Sequence, residues 1–440
     1  MSKRKMHLVG HMCTGPTTHH NGSWRHPDSD ADKVLDPSRY QNLARIYERG
    51  LFDGVFIVDC AAITDMKEGV RSKAVEVGGQ LAMLDPILVL ATMACVTSHL
   101  GLSATLSTTF NHPYSIARLF ATLDHLSGGR AGWNIVTSAD DQMARNFGLC
   151  QMPEKDLRYD QADQAVEVCM QLWNGWDADA LKIDRETGLF ADPDKIHFIN
   201  YDGSMVECHG AFTTPRSPQG HPVLMQAGAS SRGRDFAARW AEVIFTHQGA
   251  KAEMQAFYRD MKRRVAEAGR NPHDCVILPS IDVIVAKTMK LAQQRASDVD
   301  SFASLEAGLQ VIAVNLSLDL SQVSLDTPLA DIKPHKLMIS GLHDNVLALR
   351  KDGRGLTLGE AALLQATTWW SPRLLGTAEM VVDEMQDMFE SECCDGFIIA
   401  QSLSPGGIEE FVDMVVPEIQ RRGLYRTAYT GRTFRENLKG

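Results

Sequence analysis

The chain has 440 residues, with 44 Lys and Arg against 55 Asp and Glu, for a net charge of −11. Apolar residues make up 44% and charged residues 22%, an ordinary balance for a folded globular chain. The acidic balance argues against a nucleic-acid or anionic-membrane footprint, because both need clustered Lys and Arg. No run of ~18 apolar residues is present to span a bilayer, and the basic start from Met1 to His7 leads into no apolar signal-peptide core. The nine cysteines, at 13, 60, 95, 150, 169, 208, 275, 393 and 394, are scattered and form no C-x-x-C pair. They read as reduced thiols in a cytoplasm, with no structural zinc.

In chain order, Met6–Met12 reads as a strand, and Pro37–Gly50 as a helix that Gly50 stops. Gly54–Asp59 is an apolar run ending in a carboxylate. Asp85-Pro86 opens a helix to Thr97, with Asp as N-cap and Pro in the first helical position. Leu102–Thr109 is a strand, Pro113–Leu126 a helix, and Arg130–Ser138 a strand after a Gly-Gly turn. Arg158–Trp173 is amphipathic. Val223–Ala227, Val243–Thr246, Val276–Val285 and Gly396–Gln401 read as strands. Ser231–Trp240, Glu253–Gly269 and Ile408–Arg422 read as helices.

Eight strands alternating with helices predict parallel βαβ units closed into an α/β (β/α)8 TIM barrel. Length alone suggests about three domains. Five stretches resist the alternation: insertions at 13–36, 60–84, 175–221 and 288–375, and a C-terminal tail at 424–440. They total about 200 residues, close to the roughly 190 left after subtracting a barrel of ~250. The expectation is therefore one decorated barrel over 1–440, with the 288–375 insertion covering its mouth.

Missing motifs narrow the chemistry. No G-x-G-x-x-G follows a strand, and there is no phosphate loop of the NTPase kind and no H-E-x-x-H. Gly228-Ala229-Ser230-Ser231-Arg232 fails as a nucleophile elbow, because Arg232 stands where that motif needs Gly. His11, His19, His20 and His26 crowd one region without a carboxylate spaced as a further ligand until Asp28. They read as pocket lining or surface rather than as a metal site.

The motifs present point to a pocket. In strand three Ser103, Thr105 and Ser107 alternate with Leu102, Ala104 and Leu106. The outer face of a barrel packs on helices and should be apolar, so the hydroxyl row faces inward, toward a polar ligand or a satisfied polar layer. Asp59, Asn134 and Ser138 sit at strand ends, where barrel enzymes build sites. Gly228 to Gly233 opens a helix with small residues, hydroxyls and free N–H groups. It reads as a phosphate cradle or as a plain Ser N-cap.

These segments together resemble the bacterial luciferase-like superfamily. Within it, the chain resembles more particularly the group of FMNH2-dependent two-component monooxygenases that includes nitrilotriacetate monooxygenase, pristinamycin synthase and dibenzothiophene sulfone monooxygenase. The resemblance rests on MHLVGHM (6–12), GSWRHP (22–27), ERGLFDGVFIVD (48–59) and PYSIARLFATLDHLSGGRAGWNIVTS (113–138). It continues in ARNFG (144–148), RYDQADQAVEVCMQLWNGW (158–176), PRSPQGHPVLMQAGASSRGRDFAARWAE (215–242) and DGFIIAQ (395–401). It implies a barrel that binds reduced FMN supplied by a separate NAD(P)H:flavin reductase. By the same resemblance Asp59 and Thr105 match flavin-site positions on strands two and three, Asn134 lies beside the isoalloxazine region, and Tyr159, Ser230 and Ser231 reach the phosphate. Close relatives often carry His where this chain has Lys155, which could approach the phosphate as a point charge.

The resemblance further implies that O2 adds to the reduced flavin at C4a to give a (hydro)peroxyflavin, which oxygenates a small organic, aromatic or xenobiotic substrate. Cleavage of C–S, C–N or C–halogen bonds would follow. The protein excludes water and orients the substrate, and no classical triad is needed. Substrate-pocket candidates are His11, His19, Val55, Phe245 and His247, with His19 or His20 as proton donor to the oxygenated flavin. A homodimer or homotetramer is expected. Two alternatives stay open: a deazaflavin (F420)-dependent oxidoreductase, and a non-catalytic flavin-binding barrel.

Overall fold

The computed structural model describes residues 4–17, 19–65, 72–78, 81–228 and 230–440. Parts of the 60–84 insertion, Ala229 of the cradle and the first three residues lie outside this set. Eight parallel strands form the centre: β1 His7–Cys13, β2 Gly54–Val58, β3 Gly101–Ser107, β4 Ala131–Val136, β5 Val223–Gln226, β6 Val243–Thr246, β7 Val276–Val285 and β8 Gly396–Ala400. Their order around the sheet is β6-β5-β4-β3-β2-β1-β8-β7, and β6 pairs with β7 to close the barrel. A further strand, Arg373–Gly376, extends the ladder on the far half of β7, with Asp282 opposite Arg373.

The outer helices are α1 Pro37–Arg49, α2 Pro86–Ala94, α3 Pro113–Ser127, α4 Lys155–Trp173, α5 Ser231–Trp240, α6 Lys251–Glu267 and α7 Ala378–Glu390. A composite run over 406–421, with a π-helical middle, closes the ring after β8. The helix starts follow their sequence signals. Asp85 accepts from the Ile87 N–H at 2.9 Å, with Pro86 in the first turn.

Strand alternation sorts the side chains into two cores. Outward residues such as Leu8, Val55, Ile57, Leu102 and Ala104 pack with the helices in the larger cluster. Inward residues, among them Val9, Phe56, Met225, Phe245, Leu278 and Ile398, fill the lumen. Val55 is thereby corrected as a pocket candidate. It lies opposite Gly10 and Leu102 in the ladder, on the helix side, and its neighbour Phe56 takes the inward place. The tail at 424–440 is structural too. It ends in a helix, Phe434–Lys439, and the Phe434 ring is wholly buried in the lumen cluster. Gly101 makes room for it, since a Cβ there would lie 2.5 Å from that ring.

The insertions carry structure the sequence did not signal. The 175–221 segment forms two hairpins, Leu181–Asp184 with Leu189–Ala191 and Phe198–Asp202 with Glu207–Ala211. The 288–375 insertion folds around its own apolar cluster of Ile312, Leu316, Leu329, Leu358, Ala362 and Trp370. All nine cysteines are free, with Cys393 and Cys394 both buried.

Candidate active site

The C-terminal ends of the strands meet the 13–36 loop and the large insertion, and the polar residues of the lumen gather there. The hydroxyl row of β3 is buried, with Ser103 at 0% and Thr105 at 4% exposure. Thr105 Oγ1 donates to the Ile57 carbonyl of β2 at 2.9 Å and accepts from Asn134 Nδ2 of β4 at 3.0 Å. That bond fixes the Asn134 amide and leaves its Oδ1 buried with no partner among the described residues. Ser103 Oγ and His11 Nε2 are buried without partners in the same way. Buried polar atoms are normally satisfied, so a lumen with three orphans is built to receive a polar group.

Four of the predicted pocket residues come together. The His11 ring stacks on Phe56 with centroids 5.5 Å apart and lies 5.6 Å from Phe245, which packs edge-on to His247 at 4.5 Å. His11 Nδ1 and His19 Nδ1 are 3.1 Å apart. His19 Nε2 faces Ser280 Oγ at 3.3 Å and Ser371 Oγ at 3.2 Å, and Ser371 Oγ also lies 3.3 Å from His247 Nδ1. Burial lowers all three rings, His247 to about 4 by burial alone, while neighbouring imidazoles add to it for His11, lowered to about 3, and for His19, held well below the usual histidine value. All three are therefore neutral at working pH. Among the described residues, no group of three His, Cys, Asp or Glu side chains is placed to hold a metal.

His20 turns away from this group. Its Nδ1 accepts from the Gly22 N–H at 3.2 Å, and its Nε2 faces Asp300 Oδ1 at 3.4 Å. Asp300, itself a third exposed, belongs to an ion cluster centred on the fully buried Asp282. Arg373 donates to Asp282 at 2.6 Å and to Asp300 at 2.7 Å, and Ser402 donates to Asp282 at 2.8 Å. The cluster ties the insertion to β7 and to the segment after β8.

Asp59 follows β2, half-buried. Burial, reinforced by the charge of Asp85, pushes its carboxyl up to about 6. Near the N-terminus of α5, Ser230 acts as N-cap, its Oγ accepting from the Gly233 N–H at 3.2 Å. This is the plain capping role, yet the cradle is also shaped. The Tyr159 hydroxyl from α4 reaches the side chains of Ser230 and Thr137, and a Cβ on Gly233 would lie 2.7 Å from it. Ser231 is exposed in the first helical turn, where N–H groups have no partner inside the helix.

Lys155 starts α4 and, with Arg158 and Arg145, lines a cleft of about 1070 Å³. Leu309, Ala313 and Leu337 of the insertion line it as well. Ser280, Asp282, Ser371, Arg373 and Asp300 were not singled out from sequence. Ser280 and Asp282 alternate inside β7 as the hydroxyls do in β3, and that signal was available.

A family profile described as luciferase-like monooxygenase matches residues 16–393. The dibenzothiophene-sulfone monooxygenase of Rhodococcus erythropolis (strain XP) is 43% identical over 441 residues, covering 99% of this chain and 97% of that one. Component A of the nitrilotriacetate monooxygenase of Aminobacter aminovorans is 36% identical, covering 95% and 93%. A riboflavin lyase solved with modified FMN and riboflavin superposes with a TM-score of 0.90 at 32% identity, covering 99% and 96%. The chain belongs to the luciferase-like monooxygenase family, as a flavin-dependent monooxygenase.

Proposed function

We propose that this chain is the oxygenase component of a two-component system that takes reduced FMN from a separate NAD(P)H:flavin reductase. The supporting observation is the polar lumen itself, with its orphaned Asn134 Oδ1, Ser103 Oγ and His11 Nε2, in a chain that also carries the Tyr159–Gly233–Ser230 cradle. The donor set fits FMN. Asp59, Thr105 and Asn134 would hold the ring region, and Tyr159, Ser230 and the first-turn N–H of Ser231 the phosphate. Lys155 adds a nearby cation.

Reduced FMN supplies the reaction with O2 that no side chain can perform. The chain's own residues do the rest. Phe56 and Phe245 with the insertion keep water from the lumen, and a dry lumen strengthens each fixed dipole. The neutral His11, His19 and His247 hold and pass protons at ring nitrogens without placing a cation beside the flavin. His19 is the candidate proton donor, while His20, engaged with Asp300, is the weaker one. The substrate is a small organic molecule, in line with relatives named for dibenzothiophene sulfone and nitrilotriacetate. C–S, C–N or C–halogen cleavage is the outcome. Among the described residues no helix is long and apolar enough to cross a membrane. We place the enzyme in the cytoplasm, as a homodimer or homotetramer, which light scattering tests.

The decisive test incubates the protein with FMN, NADH, a generic flavin reductase and candidate sulfones, aminocarboxylates and haloaromatics, read by mass spectrometry for oxygen from 18O2. Incorporated label is expected. Oxidation that proceeds with F420 and not with FMN would refute the reading. His19→Ala should abolish oxygenation and leave FMN affinity largely intact.

A further inference from the structure

The ring contacts form a continuous line through the site. His247 Nδ1 lies 3.3 Å from Ser371 Oγ, Ser371 Oγ lies 3.2 Å from His19 Nε2, and His19 Nδ1 lies 3.1 Å from His11 Nδ1. One end is half-buried, at His247, the most exposed of the four. The other end is His11, 4% exposed, whose Nε2 is buried with no partner among the described residues. Each internal contact joins two atoms that can either donate or accept. Two nitrogens facing each other at 3.1 Å require one to carry the proton and the other to accept it. When the Ser371 hydroxyl relays, accepting from one ring and donating to the other, the choice at one end fixes every other member.

In one arrangement His247 Nδ1–H donates to Ser371, Ser371 O–H to His19 Nε2, and His19 Nδ1–H to His11 Nδ1. His11 then carries its proton on Nε2, toward the lumen. In the other arrangement every bond is reversed, and His11 Nε2 presents a lone pair. We infer that His247, Ser371, His19 and His11 form a proton wire that switches His11 Nε2 between donor and acceptor toward the lumen. The balance closes. His11 gives its Nε2 proton to a group in the lumen and takes the His19 Nδ1 proton on its own Nδ1. His19 takes the Ser371 proton at Nε2, Ser371 takes the His247 Nδ1 proton, and His247 takes one from solvent at Nε2. One proton enters, one leaves, and no ring is charged before or after. The reverse shift returns a proton to solvent.

Charged and titratable groups bearing on the wire are few. His11 feels His247, and His19 feels both of those rings and Arg373, whose charge is answered by Asp282 and Asp300. Burial keeps the rings neutral, which a wire of this kind needs. Ser371 has an internal control, because Ser280 Oγ also holds His19 Nε2 from β7. Removing the Ser371 hydroxyl therefore breaks the line while His19 keeps one anchor. The backbone at this point is constrained. Trp369 and Trp370, just before Ser371, both adopt left-handed conformations with φ of 52° and 60°, which non-glycine residues rarely do.

The role in flavin chemistry rests on the proposed function, but the wire can be tested without flavin. The experiment is 15N NMR of histidine-labelled full-length protein near pH 7.5, with the His11 signals assigned by their loss in His11→Phe. Ser371→Ala is expected to change the tautomer ratio of His11, a ring that Ser371 does not touch. Ser371→Thr, which keeps the hydroxyl, is expected to restore it, and Ser280→Ala to leave it close to the parent. Unchanged His11 signals in Ser371→Ala overturn the proposal. If Ser371→Ala does not fold, His247→Phe, which removes the outer end and keeps an aromatic ring, serves the same comparison. In the flavin-loaded protein, Ser371→Ala should slow reoxidation of reduced FMN by about 10²-fold and abolish the solvent deuterium effect that Ser371→Thr retains. A shifted His11 with unaltered reoxidation would count against the flavin reading and leave the wire standing.

Discussion

Gly233→Ala separates folding from flavin binding at one atom. The added methyl would sit 2.7 Å from the Tyr159 hydroxyl and 3.2 Å from Ser230 Oγ. Ordinary contact is near 3.5 Å, so the phenol must withdraw by roughly 0.8 Å. In the apo protein two effects oppose each other. Alanine is favoured over glycine in a helix by up to ~1 kcal/mol, while crowding costs ~1–3 kcal/mol. Stability should fall by no more than about 3 kcal/mol on that balance. Binding has no such compensation. If Tyr159 donates to the flavin phosphate, losing a hydrogen bond to a charged group costs ~1.5–3 kcal/mol, or roughly 10- to 150-fold in Kd. Urea denaturation of the apo protein and fluorescence titration with FMN measure the two quantities on one sample. An FMN Kd within threefold of the parent, in a folded variant, would refute the cradle.

The other expectations concern the lumen and its frame. Asn134→Ala loses a bond to Thr105 worth ~1 kcal/mol but also removes an unpartnered buried acceptor. Apo stability should stay within about 1 kcal/mol, while FMN affinity drops at least about tenfold; unchanged affinity in the titration would dismiss Asn134 as a ligand. Arg373→Met strands Asp282 and Asp300, and should destabilise the fold by ~3–5 kcal/mol in chemical denaturation. The buried histidines set an acid limit. Each stays neutral in the fold down to about 3 for His11 and about 4 for His247, but takes a proton near 6.5 once unfolded. The unfolded state then binds more protons, so stability rises with pH through this window and falls on acidification from 6.5 toward 4. The slope is ~1.4 kcal/mol per pH unit for each ring. His247→Phe should make the curve shallower, and a parent curve flat between pH 6.5 and 4.5 would contradict neutral burial.

The barrel was legible because its strands are short apolar runs punctuated by turn residues, and those runs are themselves the lumen and helix-facing surfaces. The hydroxyl row of β3 was legible for the same reason, as alternation is a local signal. Val55 shows the limit of that signal. A shift of one residue reverses the face, and only the ladder, with Val55 opposite Gly10 and Leu102, assigns the parity. Ser280 and Asp282 alternate within β7, a local signal of the same kind as the β3 hydroxyls, but the apolar residues on either side dominate the reading of that strand. Ser371 meets His19 across 352 residues of sequence, and a pairing that distant leaves no local pattern. The hairpins of 175–221 were missed because Leu181–Asp184 is exposed along its whole length and shows no buried face to alternate with. The separate core of the 288–375 insertion lay within an interval that the barrel arithmetic treated as remainder.

The seat of Phe434 has a consequence for how the protein is made. Its ring fills the end of the lumen beside Gly101 and is wholly buried. It follows all eight barrel strands in the chain. The lumen therefore cannot be stoppered until all eight strands have been made. Until then every strand waits around an open hole, and a nascent chain exposes the apolar face of a barrel it cannot yet finish. A chain cut short before Phe434 would yield a barrel without a floor.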